Sequence, residues 1–536
     1  MKMKRYIYAL ACAAICLSSC DKYLDTMPDN RTEIDTEEKV TALLRSAYST
    51  HWYVTVTEYM SDQLDNNAAV VSGSPGDFFH ELWNWKDVTM SNNSDPEAIW
   101  SDGWSVIACA NQALEAIEAM GGPTVSSRIA EAYGEALICR AYAHFILVNV
   151  FCLHYDSQHS ATDLGIPYME TPEKGLNPEY VRGTVADVYA KIDADIQEGI
   201  KYVGDNYDVP KWHFTRQAAN AFAAKFYLYY EKWDLALKYA DDCLGSAPKS
   251  LLRDYAYLQA NASSISEGRT LYNSSDNKCN LLMTSAYSNL GYTLYRNTSG
   301  SSKYYGYTNE IATTEDLIAP LPWKLTGVTM SDIVFRPRRY NSGSLSYVLL
   351  WKVFYQFQTT NQVTGTGYYR GIFPALTTDE TLLIRAEAKI LLKQYASACE
   401  DLNLWANNFY TIPEGMSEIK LTPESIQEFE NGMNYYLWDK PTQKKHLHPA
   451  FAIDAEGSVQ ESMLQLLLRF RRAERWGNGD RWFDIKRYGI TIYRRYVDSN
   501  GNVDRIEDTM EYRDPRQAIQ VPQKCIDAGL QPNPRN

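Results

Sequence analysis

Two segments of the chain, 162 residues apart, repeat one spacing of small and large residues. In the first segment the residues are Ala224, Tyr227, Trp233, Ala236 and Ala240. At the corresponding positions of the second are Ala386, Lys389, Tyr395, Ala398 and Leu402, of which three keep their character. Small residues let two helices approach closely, while a large aromatic fills the space at their turn. Each segment is therefore predicted to form two packed helices joined by a short turn.

Apolar residues recur at helical spacing over much of the rest of the chain. Helices are predicted at residues 37–50, 98–120, 127–152, 184–203, 215–230, 233–245, 378–392, 395–409, 423–431 and 460–488. The repeated spacing indicates tetratricopeptide-like repeats, which stack into a scaffold; two unrelated amphipathic hairpins are the alternative. We therefore predict an all-α fold with helical repeats at about 98–246 and 377–489.

Residues 247–376 interrupt this pattern and contain fourteen tyrosines. A structureless loop of this length is uncommon inside a compact domain, so this tyrosine-rich insertion is predicted to fold against the helices as loop-rich, irregular structure with short strands. Aromatic rings attract the polarised C–H bonds of sugars, and the Ser, Asn and Thr residues between them can bond hydroxyl groups. The insertion is predicted to bind ligand; the alternative is that most of its tyrosines fill a core.

The candidate sugar-binding residues combine this insertion with two residues nearer the N-terminus. They are Asn66, Trp83, Tyr292, Tyr304, Tyr305, Tyr307 and Trp323. Trp83 and Trp85 are two residues apart and are predicted to share one face of a strand. Tyr304 and Tyr305 cannot face the same way in an extended chain, so one of the two is expected to be structural.

The N-terminus has the anatomy of a secretory signal. Three basic residues precede an apolar run over residues 6–17, which is too short to cross a bilayer. The run ends in LSSC, which looks like a bacterial lipoprotein cleavage site that would remove residues 1–19 and leave lipid on Cys20; a plain signal peptide is the alternative. Residues 20–36 are polar and are interpreted as a tether. The mature chain is therefore predicted to be anchored to a membrane rather than to span it.

The charge balance argues against nucleic acid as a partner. The chain has 52 Lys and Arg against 66 Asp and Glu, a net charge of −14, and loss of the three basic residues of the signal leaves −17. Phosphate backbones require a basic surface.

Residues 469–487 are locally basic, but in an acidic, exported chain their arginines are expected to pair within the scaffold, with Glu474 and Asp480 among the partners. These arginines are Arg471, Arg472 and Arg475.

Catalytic signatures are missing from the sequence. There is no G-x-S-x-G, H-E-x-x-H or P-loop pattern, and the histidines and cysteines show no metal-ligand spacing. Asp62, Asp65, Asn66 and Asn67 offer oxygens of the kind that Ca²⁺ prefers, but the cluster is too common to assign. The chain is predicted to bind rather than to catalyse, without a cofactor. A surface glycoside hydrolase, which needs only two carboxylates, and a peptide-binding module are the alternatives.

Several stretches follow one another in an order that is typical of a known family. In the first half they are SAYSTHWYVTVTEYMSDQLDNN (46–67), EALICRAYAHFILVNVFC (135–152), TVADVYAKIDADI and TRQAANAFAAKFYLYYEKWDLALKYADDCL. In the second half they are GIFPALTTDETLLIRAEAKILLKQYASACEDLN (371–403), LRFRRAERWGNGDRWFDIKRYG (468–489) and DPRQAIQVPQKCIDAGLQPNP. Together they resemble the SusD/RagB family of outer-membrane glycan-binding lipoproteins. Residues 37–536 would form a single SusD-like domain, although residues 285–365 depart from the family pattern except at DIVFR (332–336).

This resemblance implies an all-α protein with four tetratricopeptide-like units packed against an irregular ligand-binding part. It also implies a surface-exposed outer-membrane lipoprotein that captures glycans and passes oligosaccharides to a SusC-like TonB-dependent transporter. The glycan itself does not follow, because family members hold their ligand in the part of the chain that departs from the pattern.

Overall fold

A computed structural model describes residues 33–71, 73–174, 180–294, 304–342, 345–349 and 351–535. The predicted signal, Cys20 and most of the tether lie outside the described residues. The helices are α1 (Glu37–Leu44), α2 (Val54–Met60), α3 (Asp77–Trp83), α4 (Pro96–Ala119), α5 (Ser127–Phe151), α6 (Val185–Gly199), α7 (Arg216–Tyr229), α8 (Trp233–Leu244), α9 (Tyr255–Asn261), α10 (Ile265–Tyr272), α11 (Leu290–Leu294), α12 (Asn309–Thr314), α13 (Thr378–Leu391), α14 (Tyr395–Phe409), α15 (Pro423–Asn431), α16 (Val459–Arg475), α17 (Asp480–Tyr488) and α18 (Gln523–Asp527). The strands are β1 (Asp65–Asn66), β2 (Asn280–Tyr287), β3 (Tyr305–Gly306), β4 (Arg338–Ser342), β5 (Leu345–Leu349), β6 (Gln356–Asn361), β7 (Thr366–Thr377), β8 (Ile492–Val497) and β9 (Val503–Met510).

The long helices begin where a short polar side chain caps an apolar run. In α4, α5, α6, α7 and α16, the side chain before the first helical residue accepts a hydrogen bond from a backbone N–H of the first turn. These caps are Asp95, Ser126, Thr184, Thr215 and Ser458. The predicted helices at these places are confirmed, and most of their ends agree within two residues.

The two segments with the repeated spacing form the helix pairs α7–α8 and α13–α14. Ala224, Ala236, Ala386 and Ala398 are all 0% exposed, so small residues lie where the paired helices pack. Helix α13 also packs against α8 and α7, which joins the two pairs in one hydrophobic core. The helix pairs are confirmed, whereas their assignment as tetratricopeptide repeats stays a prediction.

Replacing Ala224 with phenylalanine should lower the free energy of unfolding by about 1–3 kcal/mol, because the ring has no space between the paired helices. Denaturant unfolding followed by circular dichroism measures the change. Ala119→Phe is the control: Ala119 is exposed at the end of α4, and its substitution should stay within about 0.5 kcal/mol of the unchanged protein. Equal effects of both substitutions would contradict the assigned packing.

The all-α prediction is only partly right, because three sheets lie among the helices. Their strand orders are β3-β1-β8-β9, β2-β7-β6 and β4-β5. The tyrosine-rich insertion is more regular than predicted, since it contains helices α9 to α12 and strands β2 to β7. The first half of β7 is largely exposed and its second half is buried. Because the environment changes within the strand, its apolar and polar residues do not alternate regularly, and the sequence gives no clear strand signal.

The single helix predicted over 460–488 is two helices, α16 and α17. Gly477 and Gly479 have φ values of 75° and 81°, and residues with left-handed backbone cannot continue an α-helix. A Cβ at Gly479 would overlap the Thr57 side chain of α2. The Gly479 N–H donates to Glu58 Oε1 at 2.9 Å. Glycine therefore permits both the break and the close approach of α2.

Within the described part of the chain, α5 is the one helix that is long and apolar enough to cross a membrane. In its most apolar window, 89% of the residues are buried inside the protein. The apolar residues of this helix therefore form part of the hydrophobic core.

Candidate functional site

Trp83 and Trp85 do not lie on a strand, contrary to the prediction. Trp83 is the last residue of α3, and Trp85 follows with a left-handed φ of 53°. The apolar residues of DFFHELW recur at helical rather than alternating spacing, which explains the helix. Both rings are buried, and their Nε1–H groups donate to the carbonyls of Leu64 and Met60 at 3.4 and 2.8 Å. Trp83 is 0% exposed, so its ring is not available to stack on a ligand.

A series of contacting planar groups, the ring ladder, connects Trp83 to the surface. The Arg494 guanidinium lies 5.0 Å from the centre of the Trp83 ring. Trp83 stacks on Tyr305 at 4.8 Å, and Tyr305 meets Tyr304 edge-on at 5.0 Å. Tyr305 is 2% exposed and Tyr304 is half-buried. The expectation that one of the adjacent tyrosines is structural is therefore confirmed, and Tyr305 is that residue.

Polar side chains surround Tyr304 on the outer side of the four-stranded sheet. Asn66 of β1 pairs with Tyr305 of β3 and with Tyr496 of β8, and Tyr496 pairs with Arg505 of β9. Directly paired residues point to the same face of a sheet. Pairing therefore places Asn66, Tyr305, Tyr496 and Arg505 on one face, and Tyr304, just before β3, adjoins that face through its edge-on contact with Tyr305. We define the four-strand surface as Asn66, Tyr304, Tyr496, Arg505 and Glu507, in which Asn66 is 4% exposed and supports the others from beneath.

Short contacts hold the side chains of the four-strand surface in place. Asn66 Nδ2 donates to Glu507 Oε2 at 3.2 Å, and the Arg505 guanidinium lies 3.6 Å from the centre of the Tyr496 ring. Burial raises the pKa of Tyr304, and Tyr496 and Glu507 add to the shift. The Tyr304 hydroxyl therefore stays protonated and can donate a hydrogen bond to a ligand. The surface combines a ring edge with an amide, a carboxylate and a guanidinium.

The opposite side of the same sheet carries a buried ion network. Its members are Asp62, Asp65, Glu315, Asp316, Lys445, Arg472, Arg481 and Arg495. Arg495 bridges Asp65 at 2.8 Å and Glu315 at 2.6 Å. Asp65 and Arg495 therefore point into this network from β1 and β8, while their neighbours Asn66 and Tyr496 point to the opposite face, where Asn66 is buried and Tyr496 is half-buried. The contact between Asp65 of β1 and Arg495 of β8 favours one alignment of these two strands, and this alignment places Asn66 next to Tyr496.

Burial dominates the electrostatics of this network. It lowers the pKa of Lys445 to about 7 despite the contact with Glu315. Burial alone would raise the pKa of Asp62, but Arg472 and Arg481 outweigh it and lower that pKa. Arginines bind both Asp62 and Asp65, two of the residues considered above for calcium. Among the described residues, no group of three or more His, Cys, Asp or Glu side chains is placed to hold a metal ion.

The arginine-rich segment pairs within the scaffold, as predicted, but with different partners in part. Arg475 contacts Asp480 at 2.7 Å. Glu474 instead accepts hydrogen bonds from Tyr255 and from Trp405 at 2.9 and 3.0 Å. Arg471 pairs with Asp484 of α17 at 3.0 Å, whereas Arg472 contacts Asp62, Glu315 and Asp316 from distant parts of the chain.

Three of the predicted site residues lie away from the four-strand surface. Tyr307 is 4% exposed and donates to Asp316 at 2.8 Å. Trp323 is half-buried and packs edge-on against Tyr410 at 5.4 Å, at the edge of the hydrophobic core. Tyr292 stacks on Tyr369 of β7 at 4.1 Å, beside the three-stranded sheet. The structure thus brings together Asn66, Trp83, Tyr304 and Tyr305, and does not add Tyr292, Tyr307 or Trp323 to them.

Sequence reasoning missed Tyr496, Arg505 and Glu507, which lie more than a hundred residues beyond the tyrosine-rich insertion. The β-branched and aromatic residues of IYRRYV (492–497) were the available signal, because they favour a strand, but this segment has no strict alternation that would show which ring faces outward. Nothing local connects this strand to β1, from which it is separated by more than 400 residues.

Comparisons with known proteins agree with this architecture. Residues 22–228 match the model of the family SusD-like_3, described as starch-binding and associating with the outer membrane. No curated protein matches the chain.

Solved structures are similar over nearly the whole length. A SusD superfamily protein from Bacteroides vulgatus is 18% identical, with a TM-score of 0.62 over 94% of this chain and 99% of its own. A SusD-like carbohydrate binding protein from the same species is 16% identical, with a TM-score of 0.61 over 92% and 96%. A laminarin binding SusD-like protein is 17% identical, with a TM-score of 0.51 over 93% and 98%. Residues 22–228 therefore match the SusD-like family model, and the fold shared with SusD-superfamily structures extends over nine tenths of the chain.

Proposed function

We propose that the protein binds an oligosaccharide on the four-strand surface. The observation that carries the proposal is the half-exposed Tyr304 ring, held at the end of the ring ladder beside Asn66, Arg505 and Glu507. A sugar ring can lie against the aromatic ring while its hydroxyls meet the exposed charged groups of Arg505 and Glu507. The family description and the laminarin-binding relative make soluble starch and laminarin the first ligands to test.

Replacing Tyr304 with alanine should weaken glycan binding by about 5- to 30-fold, which corresponds to about 1–2 kcal/mol. Binding to a shallow surface must order a flexible glycan, which costs free energy. The dissociation constant of the unchanged protein should therefore be near 1 mM, about −4 kcal/mol. From this weak starting point, the loss of one ring is easy to detect. Affinity electrophoresis in gels that contain soluble starch or laminarin measures the change.

Tyr257→Ala is the matched control, because Tyr257 is 53% exposed on α9, outside the four-strand surface. It should migrate like the unchanged protein. Unaltered retardation of the Tyr304 variant would refute this placement of the ligand. Release of reducing ends from either glycan would instead favour the hydrolase alternative over a protein that binds without catalysis.

We propose further that lipid on Cys20 holds the protein on the outer face of the outer membrane, where it delivers captured oligosaccharide to a SusC-like TonB-dependent transporter. The LSSC sequence and the family's association with the outer membrane support the location. Several acyl chains on one residue would anchor the protein far more firmly than one.

Replacing Cys20 with alanine should therefore move the protein from the membrane fraction to the soluble fraction. The change is measured by fractionating cells that lack the partner transporter, so that the lipid is tested alone. A variant that stays firmly bound to the membrane would refute the lipid anchor.

A further inference from the structure

A second concave site lies apart from the four-strand surface. A cleft of about 1020 Å³ opens between α1, α5, the loop at 203–213 and strand β2, and none of its lining residues belongs to the four-strand surface. Small-molecule sites typically enclose about 300–1,000 Å³. The cleft therefore has room for a ligand larger than a single sugar ring.

The floor of the cleft is a carboxylate that is already held in place. Glu135 of α5 is 3% exposed, and its Oε1 accepts a hydrogen bond from the Tyr48 hydroxyl at 2.5 Å. The same oxygen lies 2.7 Å from His213 Nδ1. Burial, with Cys139 and Glu135 as further causes, raises the pKa of Tyr48, so the phenol stays protonated. These contacts fix the floor before any ligand arrives.

Two rings form one wall, on a loop that lies very close to α5. Tyr207 stacks on His213 at 4.4 Å with nearly parallel planes, and Trp212 ends a short helical turn that starts at Pro210. Tyr207 and Trp212 are half-buried. A Cβ at Gly204 would overlap the side chain of Glu131 on α5. Glycine therefore lets the loop approach α5 and hold both rings at the cleft.

The charges of the lining indicate which ligands fit. Glu131, Glu135, Asp205 and Asp208 outnumber the two arginines, Arg45 and Arg128. An anionic ligand such as a uronate or a sulfated glycan would be repelled. The remaining polar lining includes the hydroxyls of serine and threonine side chains. Rings together with hydroxyl and carboxylate groups suit the C–H faces and hydroxyls of an uncharged sugar.

We infer that this cleft is a second saccharide site, which takes a short, uncharged oligosaccharide independently of the four-strand surface. The inference rests on the proposed function in so far as both sites take a glycan. A long glycan could then bind one chain at two points. If the glycan is long enough to reach both sites, this raises the overall affinity without any new contact.

Fluorine NMR of the protein labelled with 5-fluorotryptophan tests the inference, because Trp212 lines the cleft and no residue of the four-strand surface is a tryptophan. The chain has 13 tryptophans, and the Trp212→Phe variant assigns the signal. The probes are maltoheptaose and laminarihexaose. The Trp212 signal should shift on titration with at least one of them, with the same midpoint in the Tyr304→Ala variant. Tyr207→Ala should move that midpoint by about fivefold or more through the loss of a ring.

Val209→Trp is a second variant, at a lining position that is 54% exposed and so tolerates substitution. It should narrow the cleft and suppress the shift of the Trp212 signal without changing the melting temperature.

If starch or laminarin gels retard the protein while the Trp212 signal stays unmoved, this inference is wrong and the four-strand proposal stands. If the signal shifts while Tyr304→Ala leaves retardation unchanged, the cleft stands and the four-strand proposal fails. Neither retardation nor a shift would overturn both.

Discussion

Replacing Arg472 with methionine is expected to lower the free energy of unfolding by about 3–5 kcal/mol, the usual effect of removing one partner from a buried ion pair. The side chain is 2% exposed and contacts Asp62, Glu315 and Asp316 within 3.7 Å. Its loss leaves these carboxylates with too few cations in a place that water does not reach. Denaturant unfolding at neutral pH, followed by circular dichroism, measures the change.

Lys238→Met is the matched control, because Lys238 pairs with Asp242 at 2.9 Å on the surface of α8, where both side chains are about half exposed. Exposed pairs contribute at most about 1 kcal/mol, and pairs within one helix about 0.3–0.5 kcal/mol. If Arg472→Met were as mild as this control, the ion network would not be a stabilising unit of the fold.

Replacing Trp83 with alanine is expected to lower the free energy of unfolding by a similar amount, about 3–5 kcal/mol, because a large cavity opens in the core. The Arg494 guanidinium would also lose one of the two rings that cover it. Tyr305 would lose its stacking partner, so Tyr304 should be held less firmly and glycan binding should weaken even where the protein remains folded.

Comparison of the Trp83 and Tyr304 variants distinguishes a residue that supports the binding surface from one that contacts the glycan directly. Loss of the half-exposed Tyr304 should change stability by less than about 1 kcal/mol while it weakens binding. Loss of the fully buried Trp83 should change both. A Trp83 variant of unchanged stability would mean that the ring ladder is not packed as described.

Helix positions were predictable because their signals are local. Helix α6 begins at the capping box of Thr184 and Asp187, and α14 has the predicted bounds, 395–409. A cap and an apolar period lie within a few residues of each other, so no knowledge of the fold is needed. The helix break at Gly477 and Gly479 was harder to predict, because it depends on the approach of α2 from more than 400 residues away.

The candidate site was predictable only in part, since an aromatic residue has the same sequence signal whether it faces the core or solvent. Tyr304 and Tyr305 are adjacent and equally aromatic, and only the position of Trp83 decides which one is buried. The ion network is equally non-local: Arg495 reaches Glu315 across 180 residues, and Arg481 reaches Asp62 across 419. Such pairs follow from the packing of distant elements, and the two-residue strands β1 and β3, which help to position them, leave no signal in the sequence.

The shortness of β1 constrains how this surface can change in evolution. Asp65 enters the ion network and Asn66 lies on the opposite face, so one inserted or deleted residue at this strand would exchange their faces, taking the carboxylate away from Arg495 and placing an amide among the charges. Length variation should therefore be excluded at β1 and β8 among descendants of this protein. New ligand preferences should arise instead by substitution at partly exposed positions such as Tyr304 and Tyr496, with the charged side of the sheet left unchanged.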